Sequence, residues 1–156
     1  MNSIFLRIAG LVAIAALWFG SQPQARAQDA NRDTVVTLSE ARDIVDRVAK
    51  RSGEFREEFE KAVEHSMLDG SKLEDTAKRR AADLHESAKK LKDVFNDKKD
   101  KNNPAVRQQV DKTLAAAADI NRVMAANRFT EKVQRDWELL RGDLNALAQI
   151  YNLPPL

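Results

Sequence analysis

From Leu38 onward the apolar residues recur in steps of three and four, a rhythm that few folds can use. The first series runs Leu38, Ala41, Val45, Val48, Ser52, Phe55, Phe59, Ala62 and Ser66. Such steps place one narrow seam along a single helix, the heptad pattern of helices that pack on one another. Thr37 stands ahead of the series as an N-cap, and Glu40 completes a capping box. Gly53 interrupts it at about 1 kcal/mol relative to alanine. The seam keeps its phase across that glycine, so one helix that can kink there is expected rather than two. Its end falls near Leu68, with Gly70 available as a left-handed terminator.

Three further seams follow. Ser71 and Glu74 form a second capping box ahead of Leu73, Ala77, Arg80 or Ala81, Leu84, Ala88, Leu91 and Phe95. That helix dissolves in the polar run Asn96 to Asn102. Asn103 caps a third, with Pro104 at the first position where its missing N–H costs nothing. The third seam is Val106, Val110, Thr113, Ala117, Ile120 and Met124, with small residues from Ala115 to Ala118. Asn127 and Arg128 mark a stop, and Thr130 caps the fourth helix, which carries Val133, Trp137, Leu140, Leu144, Leu147 and Tyr151. Pro154 and Pro155 forbid continuation. The expected helices span 37–68, 72–98, 104–126 and 131–151, with 154–156 as a tail. The first is the longest, so its N-terminal turns should project or cover one end. Short connections favour antiparallel neighbours, and the fold expected over 37–153 is an all-α, up-down-up-down antiparallel four-helix bundle. No strand pattern, glycine-rich phosphate loop or hairpin dipeptide competes with it. Pairing of two copies through the seams is open to such a chain.

The first 27 residues read differently. Arg7 gives a positive start, Ile8 to Gly20 is an uncharged run, and Ala25-Arg26-Ala27 is an Ala-x-Ala cleavage site. This is the anatomy of a secretory signal peptide cut after Ala27. The run is shorter than the roughly 20 apolar residues of a membrane span, so no integral span is expected in the mature chain. Residues 28–36 are polar and aperiodic, a flexible leader, and the mature protein is expected in the periplasm or outside the cell. The whole chain has 26 Lys and Arg against 24 Asp and Glu. Arg7 and Arg26 make up the excess, so the mature chain is formally neutral. Nucleic-acid binders need a basic excess to displace counterions, and the charges here alternate along helix faces, as in Glu54-Phe55-Arg56-Glu57-Glu58. Nucleic acid is a poor partner for it.

Reactive equipment is sparse. The absence of cysteine removes disulfides, thiolate metal sites, a cysteine nucleophile and covalent haem attachment. His65 and His85 each follow an alanine three residues earlier, so the Glu-x-x-His pair of di-iron bundles is missing. Across a hairpin turning near Gly70 the two histidines lie about 15 Å apart along the axis, too far to share a metal. A b-type haem between Met124 and His65 is the alternative cofactor reading, with core filling by Met124 as the plainer one. Ser39 and Ser71 read as helix starts, and Ser52, Ser66 and Ser87 as small packing positions. None lies in a Gly-x-Ser-x-Gly elbow. The pairs Glu57-Glu58 and Asp93/Asp97 sit among lysines and arginines on solvated faces. Phe55, Phe59, Phe95, Phe129, Trp137 and Tyr151 are core residues by phase, unless some line a groove for apolar client segments. The most polar stretch, Lys72 to Lys101, is the expected solvated or partner-facing side.

The final segment, Asp136 to Leu153, resembles the ending of a family of exported bacterial all-helical proteins of unknown function. The likeness lies in a Trp-x-x-x-Arg-x-Asp-Leu-x-x-Leu-Ala-x-x-Tyr frame carried by Trp137, Arg141, Asp143, Leu144, Leu147 and Tyr151. It extends to Leu68-Asp69-Gly70-Ser71 and Asn127-Arg128-Phe129. The resemblance implies an exported helical protein and carries over no catalytic residue. Trp137, Leu140, Leu144, Leu147 and Tyr151 form one helical stripe, while Arg141 and Asp143 are expected to pair with neighbouring helices. The functional expectation is a non-enzymatic envelope adaptor or chaperone-like protein, without cofactor, that binds a protein partner. The alternatives are the haem-binding bundle and an amphipathic bundle that rests on membrane surfaces.

Overall fold

The computed structural model describes residues 36–66 and 68–156. The signal peptide and nearly all of the leader lie outside the described residues. Each helix begins where a side-chain oxygen can take the first free amides. In α1 (Leu38–Glu64) the Thr37 hydroxyl accepts from the Glu40 amide at 3.1 Å, and the Glu40 carboxylate accepts from the Thr37 amide at 2.7 Å. The bond from the Thr37 amide first, then one that the Thr37 hydroxyl donates to the same carboxylate at 2.8 Å, hold the Glu40 carboxyl below its usual range. In α2 (Lys72–Lys98) Ser71 accepts from Leu73 and Glu74, but the return bond differs from the expected box. The Glu74 carboxylate reaches one residue further back, to the amide of Gly70, at 2.7 Å. Gly70 has φ +70°, so the tight turn needs a residue without a Cβ. Asn103 caps α3 (Pro104–Ala126) and Thr130 caps α4 (Glu131–Ile150), as the spacing predicts.

The first helix is shorter than its seam suggests. The Ser66 hydroxyl donates to the Val63 carbonyl at 2.8 Å and accepts from the Leu68 amide at 3.1 Å, which unwinds the chain beyond Glu64. Consequently α1 and α2 both have 27 residues, and the expected overhang of the first helix does not arise. Gly53 lies within an unbroken α1.

Cross-helix pairs fix the directions. Lys92 meets Asp46 at one end of the α1/α2 pair, and Lys78 meets Glu64 at the other. On the opposite flank of α1, Arg47 meets Asp143 and Glu58 meets Lys132. Gln109 donates to the Ser87 carbonyl between α3 and α2, and the Arg107 guanidinium at the start of α3 donates to the Tyr151 carbonyl just past α4. Every sequential neighbour therefore runs antiparallel, and the four helices form an up-down-up-down bundle. α1 packs on α2 and α4, and α3 lies across α2 and leans far less on α4. The described residues contain no strand, and no described helix is long and apolar enough to cross a membrane.

The core is filled by Phe55, Phe59, Leu84, Leu91, Phe95, Ile120, Leu140, Leu144 and Leu147, all fully buried. The seams drift from the heptad by one position near their ends. In α1 the buried residue after Phe59 is Val63 rather than Ala62, and in α3 Val123 is buried while Met124 is only half-buried. A straight helix slips about 20° per heptad against a 3.5-residue repeat, which accounts for both. Ala81, not Arg80, takes the shared position in α2. Leu73 leaves the core altogether and is 63% exposed. The tail is held against the last helix. The Leu153 amide bonds back to Ala148, and the Leu156 amide donates to the Asn145 side chain at 2.8 Å, folding 154–156 along α4.

Candidate functional site

The residues of the C-terminal frame form the contact of α4 with the rest of the bundle. Trp137 is buried with its ring 5.4 Å from that of Phe55. Phe55 in turn lies 5.2 Å from Phe59, and Phe59 5.0 Å from Phe129, so one aromatic run crosses the α1/α4 half of the core. Leu144 and Leu147 are fully buried, and Tyr151 closes the row. The Tyr151 hydroxyl finds no protein partner, and burial pushes its phenol up to about 12. None of these rings, nor Phe95, reaches solvent in a way that would line a client groove. Packing accounts for the whole apolar stripe.

The two charged members of the frame part company. Asp143 is a buried carboxylate on α4 that binds both Arg47, at 3.0 Å, and Arg51, at 2.5 Å, on α1. The Arg51 guanidinium also donates to the Leu139 carbonyl at 3.2 Å. This is the pairing with a neighbouring helix that the sequence leads one to expect. Arg141 departs from it. Its guanidinium meets Glu138 on its own helix at 2.6 Å, one turn back, because Arg141 points outward while Asp143 points towards α1.

The histidines occupy different surroundings. His65 is exposed at the end of α1, whereas Met124 lies in the α3/α4 seam beside Trp137. His85 wedges between α2 and α1, where its Nδ1 is 3.1 Å from the Ser52 hydroxyl. Ser52 already donates to the Ala49 carbonyl at 2.9 Å, so the ring N–H is the donor to Ser52. Burial, then the Arg56 guanidinium, lower the imidazole pKa. A Cβ on Gly53 would come within 3.0 Å of the His85 ring, so this glycine makes room for the histidine. The sequence offers the glycine as a defect and gives no sign of that contact. Ser87 is likewise more than a small packing residue. With buried Gln109 and Thr113 it builds a hydrogen-bonded layer between α2 and α3.

Several carboxylates are engaged in ion pairs on outer faces, Glu58 and Asp97 among them. Glu58 bridges Lys61 and Lys132, and Lys61 first among them holds its carboxyl low. Lys78 bridges Glu74 and Glu64, which raise its pKa, Glu74 the more. Among the described residues no three His, Asp or Glu side chains gather as a metal-ligand set.

What remains is the outside. Among the described residues, Leu73, Leu139 and Leu38 are the exposed large apolar ones, at 63%, 55% and 38%. Leu73 stands on the rim of a recess of about 380 Å³ between the start of α2 and the end of α3. Leu68, Ala77 and Val123 form its apolar floor, and Arg80 and Arg122 border it. A second recess, of about 640 Å³, lies between α4 and its folded-back tail and has no charged lining. Arg80 and Arg122 belong to the pattern that sequence reading missed. The one available signal was Leu73 itself, which falls in the first turn after the Ser71 cap, before neighbouring helices can cover it. No family model, curated protein or solved structure matches this chain.

Proposed function

We propose that this chain is a non-enzymatic, exported binding protein, an envelope adaptor or chaperone-like protein that engages a protein partner through an outer face of the bundle. The observation that carries this reading is the division between a sealed interior and an outer surface that keeps an apolar residue in reach of solvent. The described aromatic side chains are spent on the core, the buried carboxylate is held by two arginines, and Leu73 stands free above an apolar recess. An unfolded or amphipathic protein segment is the natural occupant of such a surface, because apolar anchors beside charged rims favour peptide chains. Export rests on Arg7, the run Ile8 to Gly20 and Ala25-Arg26-Ala27, which agree with the likeness of the Trp137 to Tyr151 frame to exported helical proteins. Two measurements test the proposal. Expressed in a bacterial host, the chain should be recovered from the periplasm or medium with Gln28 as its first residue. The purified exported chain should suppress light scattering from chemically denatured citrate synthase at near-stoichiometric amounts. A chain left uncleaved in the cytosol would remove the envelope role. One that neither protects the client nor crosslinks to an envelope protein would remove the binding role.

A further inference from the structure

The recess beside Leu73 differs from the other surface hollows in the charges that border it. Its floor is apolar, supplied by Leu68, Ala77 and Val123, and its charged lining is Arg80 from α2 and Arg122 from α3 with no acidic side chain. Arg80 makes no ion pair among the described residues. Arg122 meets Asp119 one turn back on its own helix, and both side chains are well exposed. An exposed pair of that kind is worth little, so the guanidinium can exchange it for a better-placed acid.

We propose that this recess docks a protein segment that carries bulky apolar residues next to glutamates or aspartates. The proposal rests on the reading of the chain as a binding protein and supplies the chemistry of its partner. An apolar side chain laid against Leu73 over the buried floor takes Leu73 out of water, and carboxylates on the adjoining turn meet the forked donors of Arg80 and Arg122. A small free ligand fits less well. A volume of about 380 Å³ is near the lower end for small-molecule sites, and the recess is open, so a detached ligand would stay largely wet. A helix laid in the recess can continue past Arg80 into the adjoining hollow floored by Ala115 and Ala116, which Asp83 and Asp119 also border, so its acidic side chains belong at the Leu73 end. This is the helix-in-groove mode, with apolar anchors on one face of the guest.

The probe is a synthetic amphipathic helix of about five turns with leucines on one face and glutamates flanking them. Counterparts carry glutamine or lysine in place of every glutamate. Fluorescence anisotropy against the purified exported chain should give the glutamate peptide about tenfold tighter binding than the lysine peptide, with glutamine between. Leu73→Gln, and Arg80→Glu together with Arg122→Glu, should each weaken the glutamate peptide by about tenfold while the helical circular dichroism stays unchanged. The double charge reversal should also rescue the lysine peptide. Equal binding of all three peptides, or indifference to these substitutions, would overturn the proposal. So would sedimentation of the chain with phosphatidylglycerol vesicles through the same three residues without peptide binding. If both variants still protect denatured citrate synthase fully, the recess proposal falls and the broader binding role stands. An unaltered chain that neither protects citrate synthase nor crosslinks to an envelope protein, and binds none of the peptides, brings down both.

Discussion

Gly53 and His85 compete for one small space between α1 and α2, which makes two residue-level effects predictable. Replacing glycine by alanine inside a helix normally gains about 1 kcal/mol. Here the new methyl would stand within 3.0 Å of an imidazole already tied to Ser52, so Gly53→Ala should lose stability in the natural chain. In a His85→Ala background the same change should gain close to the full helix-propensity amount. Urea unfolding followed by circular dichroism in both backgrounds measures the difference, and an equal gain in each would mean that the ring yields freely. The second effect concerns pH. Burial, then Arg56, disfavour the protonated ring in the folded chain, with Lys89 also opposing and Glu86 and Glu57 favouring the charge. The folded pKa therefore lies below the ordinary value of about 6.5. Above that pH the ring is neutral in both states and contributes no pH dependence. As pH falls through it towards the lowered folded value, the unfolded chain binds the proton first and stability declines. Urea midpoints at about pH 7.5 and about pH 5 should differ more for the natural chain than for His85→Gln, since the carboxylates titrate alike in both.

At the scale of the helix, Asp143 and Arg141 separate a structural charge from a surface one. Asp143→Ala strips two α1 arginines of their common partner and should cost about 1–3 kcal/mol. Arg141→Ala removes one exposed same-helix pair and should stay within about 0.5 kcal/mol. Thermal melts of the two variants check the contrast. The same pair marks where the sequence is readable. Caps and seams act through neighbours three or four residues apart, so Thr37, Asn103, Pro104 and Thr130 announced their helices correctly. Partners across helices depend on how each helix is rotated, and a slip of one position decides them. The heptad thus named Ala62 where Val63 is buried, and it set Leu73 in the core when the first turn of α2 has nothing to cover it. The recess escaped notice for the same reason: Arg80 and Arg122 are 42 positions apart and meet only because α2 and α3 run antiparallel.

For the whole molecule, the unequal packing of the four helices implies unequal resistance to opening. α1 is held on both flanks, by α2 and α4, with Phe55 and Phe59 in the aromatic run and Arg47 and Arg51 clamped to Asp143. α3 leans on α2 alone to any great extent. Part of that contact is the polar layer of Ser87, Gln109 and Thr113, and the hollow beside it is lined by the small Ala115, Ala116 and Ala118 among charged side chains. Hydrogen bonds within such a layer contribute less net stability than buried aromatic area does. Local opening draws on the elements with the fewest buried apolar contacts. Amides from Ala115 to Asn121 in α3 should therefore exchange with solvent well before those from Val48 to Phe55 in α1. Uniform protection across both helices would instead mean that the bundle opens only as a unit. Because α3 forms one wall of the Leu73 recess, a segment docked there adds the apolar contacts that α3 lacks. The glutamate peptide should slow exchange in α3 and leave α1 unchanged, whereas a guest bound elsewhere on the bundle would not produce that pattern.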